Sequence, residues 1–183
     1  ITGINSLNLT EAQQTKFFKE ALANGYYSNV VKMASHFTTA AEVLVEKGDF
    51  SFLQNNNIEN TVIYNTILHI GNTYGVSQVN NVLNTYISSM KQKEFFIELL
   101  KQNKGYIVSD LAVSNAMAAR TMLEAGNYSF LTNPQTSLYI KLDAIDYLDS
   151  LGKLSSLNGI YTTDSQFAYS LFKNGVEFSY PND

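Results

Sequence analysis

Apolar residues recur along this chain at helical spacing, and small polar residues punctuate them. Phe17, Phe18 and Leu22 follow Thr10-Glu11-Ala12-Gln13, where a hydroxyl accepts from an amide three residues on and Gln13 reaches back. This capping box predicts a helix from about Thr10 to Ala23, stopped at Asn24-Gly25. Ser89-Met90-Lys91-Gln92 opens a similar run with Phe95, Phe96, Leu99 and Leu100. Pieces rich in Ala, Met and Leu run from Val30 to Val45 and from Val108 to Leu123, ending at Gly48 and Gly126. A glycine just past a helix supplies the left-handed conformation that a Cβ resists, so both are expected at positive φ. Asp49 and Asn127 are the natural caps of short turns that carry Phe52-Leu53 and Phe130-Leu131 inward.

A further helix is expected from roughly Ile58 to Ile70, with Val62, Thr66, Ile67 and Ile70 on its inner stripe. Its counterpart carries Ile140, Ala144, Ile145 and Leu148, with Pro134 placed where a missing amide does no harm. Val76 to Ser88 predicts a connecting helix, and Gly71-Asn72-Thr73-Tyr74-Gly75 reads as the helix-helix connection before it. Val176 to Pro181 alternates apolar with polar, the pattern of a short strand.

These pieces come twice. Shifted by 78 positions, Phe17-Phe18 falls on Phe95-Phe96, Ala40-Ala41 on Ala118-Ala119, Gly48 on Gly126, and Phe52-Leu53 on Phe130-Leu131. The fold class that follows is all-α, with two tandem helical units related by an internal duplication. The units span 10–75 and 89–150, a connecting helix spans 76–88, and 151–183 holds a C-terminal helix and a short extended tail. Phe17 and Phe95, Phe52 and Phe130, and Leu53 and Leu131 are expected to be buried in equivalent places. Phe167 to Gly175 resembles Phe17 to Gly25 and reads as a third start.

Only 15% of residues are charged, against about 25% in typical soluble domains, so neighbouring copies repel each other weakly. A composition of this kind suits packing in an assembly; an AT-rich genome, which accumulates Asn, Lys, Ile and Tyr codons, produces it equally. The net charge of −4 opposes nucleic-acid binding, which needs clustered Lys and Arg. The densest basic stretch, Lys91, Lys93, Lys101 and Lys104, is interrupted by Glu94 and Glu98. No apolar run reaches the ~18 residues of a membrane span. The chain opens on Ile1 in place of Met, as expected of a processed product or a piece of a longer chain. Without cysteine, disulfides and thiolate-bound metals are excluded and the compartment stays open.

Val113-Ser114-Asn115-Ala116-Met117-Ala118-Ala119 and Thr132-Asn133-Pro134-Gln135-Thr136-Ser137-Leu138 resemble the short helical repeats of bacteriophage tail-fibre and other virion proteins. Those repeats cycle through a small polar cap, an optional Pro and an apolar helix of about three turns. The resemblance covers Gly105 to Ser150 and, through the repeat, the matching part of the first half. This chain is less regular, with Ser137 in place of the usual Ala and no Pro at Asn60-Thr61-Val62. A phage structural role in a virion is what the resemblance implies, and it brings no catalytic residue.

Candidate chemistry is sparse. His36 and His69 belong to no His-Glu-x-x-His arrangement and read as surface or packing histidines. Asp143, Asp146 and Asp149 share a broad helix side and read as a solvated face. The sequons at Asn8 and Asn127 have capping explanations. No catalytic, cofactor-binding or metal site is expected. Tyr26, Tyr27, Tyr161, Phe178 and Tyr180, placed in loops or the tail, are the interaction candidates, since amphipathic rings there serve as contact anchors. The function expected is a non-enzymatic structural or interaction module whose partners are itself or other subunits of an assembly. The alternatives are a peptide- or ligand-binding domain with a groove between the repeats, and a helical hydrolase using carboxylates among Glu20, Glu42, Glu98 and Glu124.

Overall fold

Residues 8–180 are described by a computed structural model, all-α apart from one pair of two-residue strands. The chain gathers into two compact units that divide between Lys91 and Gln92.

The first unit contains α1 (Glu11–Ala23), α2 (Tyr27–Met33), α3 (Thr38–Glu46), a 3-10 turn (Ser51–Gln54), α4 (Asn60–Tyr74) and α5 (Val76–Tyr86). Its centre is α3, packed against α1, α2 and α4. A helix covered on three sides needs small residues where neighbours approach. Accordingly Ala40, Ala41, Val43, Leu44 and Val45 are all buried. The capping box forms as the sequence predicts: Gln13 N donates to Thr10 Oγ1, and Thr10 N donates to Gln13 Oε1. The stretch from Val30 to Val45 is two helices, because the amides of His36 and Phe37 both turn back to Met33 O and Phe37 is extended. The Gly71–Gly75 connection proves to be helical up to Tyr74, with only Gly75, at φ 83°, turning the chain into α5. Within α4, Gly71 lets α5 approach: a Cβ there would lie 3.4 Å from Val79 Cγ2.

The second unit contains most of α6 (Ser89–Lys101), then α7 (Gly105–Ala112), α8 (Ala116–Glu124), a 3-10 turn (Ser129–Thr132) and α9 (Leu138–Ser150). A third 3-10 turn (Leu154–Leu157), β1 (Ile160–Tyr161), α10 (Ser165–Lys173) and β2 (Phe178–Ser179) complete it. Here α8 packs against α7 and α9, and α9 in turn against α10. The alternating tail forms β2, which pairs in parallel with β1, Ile160 opposite Phe178 and Tyr161 opposite Ser179. Pro181, the end of that sequence pattern, lies outside the described residues.

Element bounds recur at the 78-residue spacing, α1 against α6, α3 against α8, and the first 3-10 turn against the second. Local hydrogen bonds recur with them. Asp49 Oδ1 accepts from the amide and hydroxyl of Ser51, and Asn127 Oδ1 does the same for Ser129. The amide of Glu59 donates to Ser35 O and that of Ser137 to Val113 O, both at 3.0 Å, tying each long helix to the preceding corner. Gly48 and Gly126 lie at φ 76° and 75°, as expected. Phe52, Leu53, Phe130 and Leu131 are buried.

One expectation of burial is corrected. Phe17 is 46% exposed while Phe95 is 4% exposed. Consecutive helical residues point about 100° apart, so a helix covered on one side seats only one of two adjacent rings. In α1 that ring is Phe18, which packs on Phe37 with centroids 6.1 Å apart. Pro134 does sit where its missing amide does no harm, but in a turn and not at a helix start. Thr136 N donates to Asn133 O, making Pro134 the second residue of a four-residue turn, and α9 begins at Leu138 behind the Ser137 cap.

Candidate interaction surface and cleft

Of the five aromatic candidates, Tyr26 and Tyr27 belong to the first unit and Tyr161, Phe178 and Tyr180 to the second. Tyr26 caps α2 and Tyr27 is its first residue, so both belong to a helix start and not a free loop. Both rings are exposed, but the Tyr27 hydroxyl donates to Asp49 Oδ2 at 2.6 Å, a bond that raises its pKa. Burial pushes the Asp49 carboxyl up, yet its bonds from Tyr27 and Ser51 outweigh this and hold it below the ordinary value. Tyr161 lies in β1, Phe178 in β2 and Tyr180 just after it, all in the second unit. Side chains alternate along a strand, so Tyr161 and Phe178 stand on opposite faces of the pair.

More exposed rings sit on helices, outside the loop and tail positions expected of the interaction candidates. Tyr106 on α7, Tyr139 on α9, and Tyr169 and Phe172 on α10 all face solvent. The signal was available: on α10 the buried stripe is Phe167, Ala168 and Leu171, and Tyr169 and Phe172 fall beside each other off it, three residues apart.

Acids and bases pair off in structural contacts. Arg120 holds Asp143 by two bonds, Nε to Oδ2 at 2.9 Å and Nη2 to Oδ1 at 2.6 Å. Asp143 is therefore half-buried in a helix-helix clamp, whereas Asp146 and Asp149 are solvated. The Arg120 guanidinium also lies 5.1 Å from the Tyr147 ring centroid. Glu124 accepts from Lys93 at 2.8 Å and from the Tyr147 hydroxyl, and these bonds lower its pKa and raise that of Tyr147. His36 Nδ1 lies 2.7 Å from Glu59 Oε1. His69 Nδ1 lies 3.7 Å from Glu42 Oε1, whose pKa burial raises. Glu20 sits 3.8 Å from Lys16, and Glu98 accepts from Gln102. Among the described residues no group of three His, Cys, Asp or Glu converges as a metal would need.

Among the described residues, each unit has a cleft open to solvent. One, about 290 Å³, lies in the first unit between Lys19, Leu22, Tyr27, Leu44 and Asp49. The other, about 340 Å³, lies in the second unit, with Tyr128, Ser129 and Thr132 on one side and Ser156, Leu157, Asn158 and Tyr161 on the other. No helix is long and apolar enough to cross a membrane, among the described residues. Comparison of the chain with protein-family models, curated proteins and solved structures finds no match.

Proposed function

We propose that this chain is a non-catalytic interaction module that associates with copies of itself within a larger assembly, on the phage resemblance a virion component. The observation that carries the reading is the outer face of α10, where Tyr169 is 68% and Phe172 74% exposed. Two large rings side by side on a helix, off its buried stripe, leave apolar area in water that a second molecule covers favourably. The weak net charge of −4 adds little repulsion between copies. Sedimentation velocity over a concentration series tests this. The wild-type chain is expected to associate and Tyr169→Ser/Phe172→Ser to remain monomeric with an unchanged melting temperature. A wild-type chain that stays monomeric up to about 1 mM, the weak end of specific affinity, refutes the reading.

A further inference from the structure

The cleft beside Tyr128 and Tyr161 has a composition of its own. None of its lining residues is charged. Leu157 forms a buried apolar floor with half-buried Ile160, and Tyr128 and Tyr161 supply aromatic surface. Around them stand Ser129, Thr132, Ser156 and Asn158. Their hydrogen-bonding capacity is partly committed, which defines what is left. Asn158 Oδ1 accepts from the amide of Glu177, leaving its NH₂ as a donor. The hydroxyls of Ser129 and Thr132 donate to Asn127 Oδ1 and to Ser129 O, leaving their oxygens as acceptors. The cleft thus offers both donors and acceptors at its edge, and rings beside an apolar floor.

We propose that this cleft binds a neutral sugar ring, the end unit of a glycan or a small saccharide. A pyranose has hydroxyls that both donate and accept, and C–H faces that lie against aromatic rings. Anionic ligands are disfavoured because no Lys, Arg or His lines the cleft, and cationic ones because no carboxylate does. An extended peptide gains little backbone pairing here: the amides of Leu131, Asn133 and Asn158 donate within their own turns, and β1 is only two residues long. The volume, about 340 Å³, lies at the small end of ligand sites, which suits one or two sugar rings.

The site does not involve the α10 face, and Tyr169→Ser/Phe172→Ser leaves sugar binding unchanged, so the two readings fail separately. Isothermal titration of the full chain with cellobiose, lactose and N,N′-diacetylchitobiose, with glucuronate as charged control, tests the inference. At least one neutral disaccharide is expected to bind saturably, about tenfold more weakly to Tyr161→Ala and to Asn158→Ala. Tyr161 is exposed, so Tyr161→Ala is expected to keep the wild-type melting temperature, while Asn158→Ala, which gives up the bond from the Glu177 amide, is expected to melt a few degrees lower. Quenching of tyrosine emission, undisturbed in a chain without Trp, reports the same event. Absence of saturation by all three disaccharides up to about 20 mM overturns the proposal. So does binding that both variants leave intact, or a preference for glucuronate.

Discussion

Lys141 on α9, only 4% exposed, donates from Nζ to Asp164 Oδ2 at 3.0 Å, and Asp164 in turn caps α10 through the amides of Gln166 and Phe167. One carboxylate thus neutralises a buried ammonium and starts the helix packed against α9. The ammonium also lies 5.8 Å from the Phe167 ring centroid. Removing one partner of a buried pair strands the other, at about 3–5 kcal/mol. Asp164→Asn keeps a capping side chain but deletes the charge, and is expected to lose on the order of 3 kcal/mol in urea unfolding. Lys141→Met, which removes the buried charge itself, is expected to be far milder.

The same carboxylate gives a pH dependence. Burial pushes Asp164 up, but the Phe167 amide, Lys141 and the Gln166 amide outweigh it, and its pKa lies below the ordinary value. A depressed carboxyl contributes stability above its unfolded pKa of about 3.9, and this is lost as pH falls through the folded value. Acid unfolding below about pH 4 is therefore expected to be shallower in Asp164→Asn than in the wild type. Equal slopes contradict the assignment.

Glu42 has the opposite sign. Burial raises its pKa against the pull of His69, so the folded state holds that proton more tightly than the unfolded chain. Its contribution is present below the unfolded pKa and is lost as pH rises through the folded one. Glu42→Gln is expected to be stabilised relative to the wild type at pH 8, where the raised folded pKa of Glu42 counts against the native state, by less than about 1 kcal/mol. Thermal melts at pH 4 and pH 8 measure the difference.

Phe95 and Phe17 occupy equivalent sequence positions but different surroundings. Phe95→Ala is expected to cost about 3–5 kcal/mol, as for other buried aromatics, and Phe130→Ala the same. Phe17→Ala, at a site nearly half in water, is expected to cost about 1 kcal/mol or less. Comparable losses at Phe17 and Phe95 in chemical denaturation rule out this account.

Gly126 at φ 75° and Asn103 at φ 58° close α8 and α6 in the left-handed region. Gly126→Val is expected to lose at least about 1–2 kcal/mol, because a β-branched side chain is poorly tolerated there, although no neighbour lies within 4 Å of its Cβ. Asn103→Gly is expected to be neutral or slightly stabilising. An unchanged melting temperature in Gly126→Val is the opposing result.

What the sequence determined by itself is what depends on neighbours a few residues apart. The capping box at Thr10 and Gln13, the turns at Asp49 and Asn127, the positive φ at Gly48 and Gly126, and the alternating tail around Phe178 are all local backbone demands. The helical periodicity that marks the all-α class is local too. Tertiary structure decided what lies against each element. Phe17 and Phe95 sit in the same local pattern, and only the packing around each helix leaves one exposed and the other buried. Lys141 reads as a surface residue until Asp164, 23 positions away, folds back onto it. Tyr128 and Tyr161 come to line one cleft because β1 returns beside the second 3-10 turn, a proximity no helical or strand period encodes. Periodicity states which side of an element is apolar, but long-range packing alone fixes how much of that side is covered and which polar groups meet there.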